Sequence, residues 1–160
     1  MRYIMRDKLF AIGQDFTITD EQGQGRFSVD GKVFAIGHKL VFRDMEGNEA
    51  ATVHQKLLHM TPTYEITRGG AEIAEVKKKL ISIARERFTV DIPGPDDLEV
   101  TGSLLDHDYT FTRSGQVIAH VSKAWVSLRD TYGVDIAPGE DDVVILASTV
   151  VIDMVNEDSR

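Results

Sequence analysis

The side chains best able to do chemistry are five histidines, His38, His54, His59, His107 and His120, and a few clusters of like charge. A metal site needs ligands that converge, and none of these histidines stands in a tight ligand spacing. Asp106-His107-Asp108 comes nearest to a ligand set, and the same three residues are what a hydrolase with a shallow surface site would use. On a strand its two aspartates share one face and His107 takes the other, which spoils convergence. The triplet reads better as a polar turn at the start of a strand. Glu140-Asp141-Asp142 has the charge to hold a cation, but its place suits a helix N-terminus. There acidic side chains cap backbone N–H groups and meet the positive end of the helix dipole. Lys77, Lys78 and Lys79, followed by Arg85 and Arg87, form the one basic run. That run is a candidate patch for an anionic ligand. The alternative is a solvated strand face whose lysines discourage edge pairing. There is no G-x-S-x-G elbow, phosphate loop or dinucleotide fingerprint. Trp125 reads as a packed residue rather than a ligand platform.

These residues sit in a chain of 160, with 18 Lys and Arg against 26 Asp and Glu, a net charge of −8. Hydrophobic residues make up 42%, as expected of a globular protein with a real core. The acidic balance argues against a general nucleic-acid binder. The absence of cysteine excludes disulfides, zinc–thiolate sites and thiol nucleophiles. Seven acids and one arginine lie in residues 135–160, so this stretch carries −6 and the rest only −2. The basic run can therefore act locally, since screening at physiological salt acts over about 8 Å. The start, MRYIMRDKLF, lacks a continuous apolar leader segment, and the longest apolar stretch, residues 143–155, is too short to span a membrane. No transmembrane segment and a cytoplasmic location are the expectations.

The elements that must position these residues show a repeat. From Gly25, turn-like glycines recur at Gly47, Gly70, Gly94, Gly115 and Gly139, in steps of 22, 23, 24, 21 and 24. GNEAATV, GAEIAEV and GQVIAHV all fit G-x-x-[A/I]-A-x-V, with a weaker, out-of-phase copy, GKVFAIG, at Gly31. Each clear copy follows a strand-like run, so strand, glycine turn and strand make a β-hairpin. The small alanine marks a spot where something packs close to the sheet. The variable slot, Thr52, Glu75 or His120, reads as solvent-facing. In residues 74–87 a strand is expected to continue to about Ile83, then turn into FTVDI.

Successive hairpins make an antiparallel meander, and closure into a barrel is one way to remove its edges. A barrel of more than about eight strands has an interior that side chains cannot fill unaided. The segment after Pro138-Gly139 supplies a candidate plug: an acidic start, then residues apolar all round a helix. Residues 141–155 would span roughly 22 Å as a helix. Their Val, Ile and Thr content suits two buried strands as well.

The chain resembles the LURP-one-related proteins, which belong with tubby C-terminal domains and phospholipid scramblases. The resemblance rests on FAIGHKLVFRDMEGNE, QKLLHMTPTYEI and, above all, VSKAWVSLRDTYGVDIAPGEDDVVILASTVVID, and it covers nearly the whole chain. It implies a mainly β fold, a closed antiparallel barrel of about twelve strands enclosing a central hydrophobic C-terminal helix. The implied organisation is one tubby-like domain over residues 1–160, with strands in about 1–136 and the buried helix at about 141–156. Together with the basic run, it suggests a non-enzymatic module whose partner is an anionic phospholipid headgroup or a protein; from the missing motifs, no cofactor or metal is expected. Tubby domains bind phosphoinositides through basic residues, but no tubby basic pair matches numbered positions here, so no ligand residue carries over. Lys77, Lys78, Lys79, Arg85 and Arg87 remain the candidates from charge alone. A scaffold role without a lipid ligand and the shallow hydrolase are the competing readings.

Overall fold

The computed structural model describes residues 1–6, 15–34, 37–82, 85–94, 97–126 and 130–158, with the side chains of 32–34, 80–82, 85–86 and 157–158 left aside. Twelve antiparallel strands close on themselves in chain order, β1 pairing with both β2 and β12. They are β1 (Arg2–Arg6), β2 (Phe16–Asp20), β3 (Gly25–Phe34), β4 (Gly37–Asp44), β5 (Glu49–Lys56) and β6 (Thr63–Arg68). The circuit continues with β7 (Ala71–Ser82), β8 (Arg85–Asp91), β9 (Leu98–Ser103), β10 (Asp108–Arg113), β11 (Gln116–Ser122) and β12 (Thr131–Ile136). Helix α1 (Asp142–Asp158) fills the interior. Closure leaves none of the described strands as a free edge to template aggregation. In this up-and-down order, the odd-numbered strands all finish at one end, the upper end here. The even-numbered strands finish at the lower end, where α1 starts.

The three repeats are three hairpins, β4–β5, β6–β7 and β10–β11. Their turn glycines Gly47, Gly70 and Gly115 have φ of 90°, 82° and 79°, which a side chain would strain. In every copy the register slips at the same place, between Phe42 and Arg43, Ile66 and Thr67, and Phe111 and Thr112. The fourth motif residue (Ala50, Ile73, Ile118) is thus the extra residue of a β-bulge. The bulge draws that residue toward the core, and Ile118 is buried although plain alternation puts it outside. Ala51, Ala74 and Ala119 then face inward with Val53, Val76 and Val121, all buried. In the GKVFAIG copy Gly31 lies inside β3 and not at a turn, so it does not open a hairpin as the other three glycines do. The variable slot is less open than expected: Thr52 is buried, and Glu75 and His120 are half-covered by neighbours.

The long apolar segment is one helix, not two strands. Asp141 caps it, its Oδ1 accepting from the Val144 backbone N–H at 3.3 Å. Val143 through Asn156 are all buried. Ser148 and Thr149 satisfy their hydroxyls by donating to the carbonyls four residues back, at 2.7 and 2.9 Å. β7 ends at Ser82 and β8 begins at Arg85, as the expected turn requires; residues 83–84 lie outside the described residues.

Candidate functional site

The basic run is split by the strand period. β7 alternates, so Ala74, Val76 and Lys78 share the inner face, and Lys78 is only 8% exposed. Lys77 points outward, where its Nζ lies 2.9 Å from Glu75 Oε1 and 3.1 Å from Asp91 Oδ2. Lys56 pairs with Glu75 as well. Burial alone would push the Glu75 carboxyl up, but hydrogen bonds and charge from Lys56 and Lys77 win and hold it at about 2. Lys77 is raised above its ordinary value by the same contacts with Glu75 and Asp91. Lys79 is exposed and sits directly opposite Arg87 across the β7–β8 ladder. Like charges facing each other across an antiparallel pair destabilise it. Arg85 opposes Ser82 in the same hairpin, and its side chain lies outside the described residues. Of the five cations, then, Lys79 and Arg87 stand together at the upper end, Lys78 turns inward and Lys77 is neutralised.

Beside them runs the β5–β6 loop, residues 57–62. The Lys78 backbone N–H donates to Pro62 O at 3.1 Å, which holds the loop against β7. Leu58 and Met60 are fully exposed and Leu57 half-exposed. Leu58 also has φ of 67°, a left-handed conformation that a leucine adopts only at a cost.

The Asp106-His107-Asp108 triplet does not assemble a surface hydrolase site. Asp106 accepts from Ser103 Oγ at 2.6 Å, and Asp108 lies 3.1 Å from His120 Nε2. His107, with φ of 50°, turns inward and is buried. Its Nε2 lies 3.0 Å from Asp153 Oδ1, and its ring stacks on Tyr132 with centroids 4.2 Å apart. The Tyr132 hydroxyl donates to the other Asp153 oxygen. His107, Tyr132 and Asp153 therefore pin the β9–β10 turn and the start of β12 to the helix. The sequence reading missed Asp153 and Tyr132. The available signal was a lone carboxylate in a helix apolar all round, since a buried charge needs partners.

The lower end is closed by structural ties. Arg68 makes a two-pronged pair with Asp141 at 2.9 and 3.1 Å, Arg113 holds Glu140 at 2.9 and 3.0 Å, and Tyr3 donates to Asp142. The acidic triplet is thus committed to β6, β10 and β1 rather than to a cation. Among the described residues no group of three or more His, Asp or Glu is placed to hold a metal ion. Trp125 packs on the outer wall over Gly133, whose missing Cβ would stand 3.1 Å from the ring, with the Arg2 guanidinium 4.3 Å above it. No helix among the described residues is long and apolar enough to cross a membrane.

A twelve-stranded antiparallel barrel wound around its own C-terminal helix is a tubby-like barrel. The match over residues 1–153 shows that the chain belongs to the LURP-one-related family. It is similar to YxjI from Bacillus subtilis, 33% identical over 86 residues, which are 54% of this chain and about half (52%) of that protein. The fold is shared with the X-ray structure of a protein from Arabidopsis thaliana, with a TM-score of 0.66 over 99% of this chain and 92% of that one, at 21% identity.

Proposed function

We propose that this protein is a non-enzymatic LURP-one-related barrel that binds an anionic phospholipid headgroup at its upper rim, in the cytoplasm, with residues 1–160 acting as one unit. The observation that carries the reading is the facing pair Lys79 and Arg87. Two cations held opposite each other cost stability when empty, and an anion between them removes the repulsion. Family membership supports the reading by analogy of fold only. The net charge of −8 opposes long-range attraction to a negative membrane, so the contact has to be local.

Co-sedimentation with neutral, phosphatidylserine and phosphoinositide vesicles, at low and physiological salt, tests this. Wild-type protein should pellet with anionic vesicles only. Lys79→Glu and Arg87→Glu should each weaken that binding, whereas Lys77→Gln, which removes a cation already neutralised, should change it little. Equal pelleting by the wild type and both charge reversals would overturn the headgroup reading. Retention in a protein complex with no vesicle binding would favour the scaffold reading instead.

A further inference from the structure

We infer that the β5–β6 loop is an apolar wedge that enters the boundary between headgroups and acyl chains of an anionic bilayer. The inference deepens the headgroup reading and rests on it for the choice of surface. Isolated exposed apolar side chains such as Met45 and Val117 are ordinary on a protein surface. Leu57, Leu58 and Met60 differ because they crowd into one short loop, two of them fully in water. The backbone adds to the oddity: Leu58 holds a left-handed φ of 67° and gains no burial from it. Strain that no internal contact repays points to a contact made outside the molecule.

The chemistry selects a lipid surface as that contact. Leu58 and Met60 stand fully in water, as side chains that enter a lipid layer must. The loop is held against β7 by the Lys78 N–H to Pro62 O bond, next to the strand segment that carries Lys79 opposite Arg87. An apolar tip with cations on the adjoining hairpin suits an anionic interface, with the tip among the upper acyl carbons and the cations at the phosphates. The net charge of −8 gives the wedge its purpose, because electrostatics alone attracts this protein weakly.

The test uses the full chain with Met60→Trp as a depth probe and the double variant Leu58→Ser/Met60→Ser. Both changes lie on an exposed loop, and circular dichroism checks that the barrel is intact. With phosphatidylserine vesicles, the new tryptophan should shift its emission to the blue and be quenched by lipids brominated high on the acyl chain. The serine variant should lose at least about tenfold in partitioning at physiological salt, as burial of two such side chains predicts. Binding that depends on Lys79 and Arg87 but leaves the Met60→Trp emission unchanged, with serine-variant binding equal to wild type, overturns the wedge and leaves the headgroup site standing. Insertion into neutral and anionic vesicles alike, insensitive to Lys79→Glu, supports the wedge and overturns the headgroup site. Wild-type protein that stays in the supernatant with every vesicle overturns both.

Discussion

Asp153 shows how much one side chain can decide. It is the only carboxylate within the buried span of α1, and it is satisfied by residues 46 and 21 positions away. Replacing it with alanine leaves the Tyr132 hydroxyl and the His107 ring without their shared partner in the interior. Asp153→Ala should therefore lower stability by about 3 kcal/mol, the range for breaking one side of a buried polar pair. Urea unfolding followed by circular dichroism measures it, and an unmoved midpoint would show that the cluster contributes nothing. Lys77, Lys78 and Lys79 were legible as a basic run, but three adjacent residues on a strand meet different surroundings. One is buried, one ion-paired and one exposed, and only the register against β8 reveals that Lys79 faces Arg87.

At the scale of elements, the hairpin repeat was plain in the glycine spacing and the shared G-x-x-[A/I]-A-x-V text. The bulge was not, because an extra residue changes no local composition and shows only in the pairing. It leaves Ala51, Ala74 and Ala119 on the inner face, and β5 and β7 pack on α1, where a small side chain admits the helix closely. Ala74→Leu should overpack that contact and cost about 1–3 kcal/mol, whereas Ala71→Leu, exposed on the same strand, should stay within about 0.5 kcal/mol. Thermal and urea midpoints of the two variants make the comparison; equal midpoints would remove the alanine from its packing role. The apolar segment itself was ambiguous because Val and Ile favour strands. A closed barrel offers its interior no free edge to pair with, so the backbone in it must satisfy itself as a helix.

At the scale of the molecule, carboxylates tie the assembly together at separate points, and their acid response follows from their state in the fold. Glu75 sits at about 2, and Asp141 below its ordinary value because the Arg68 bond and the helix N–H groups outweigh its burial. Both are depressed on folding, so their stabilisation is complete above the unfolded carboxylate range and is lost as pH falls through their folded values. The urea midpoint should decline as pH is lowered from about 5 toward about 2, and more shallowly in Glu75→Gln. A slope unchanged by that substitution would remove Glu75 as a source of acid sensitivity. Local pattern alone determined the meander of hairpins, the acidic cap and the all-apolar plug, because these depend on neighbours within a few residues. Tertiary structure alone decided that the plug is helical, that His107 meets Asp153 and Tyr132, that the acidic triplet is spent on Arg68, Arg113 and Tyr3, and that the loop carrying Leu58 and Met60 is bonded to β7 at the residue before Lys79. Those relations depend on closing the barrel, which brings together residues that no sequence spacing connects.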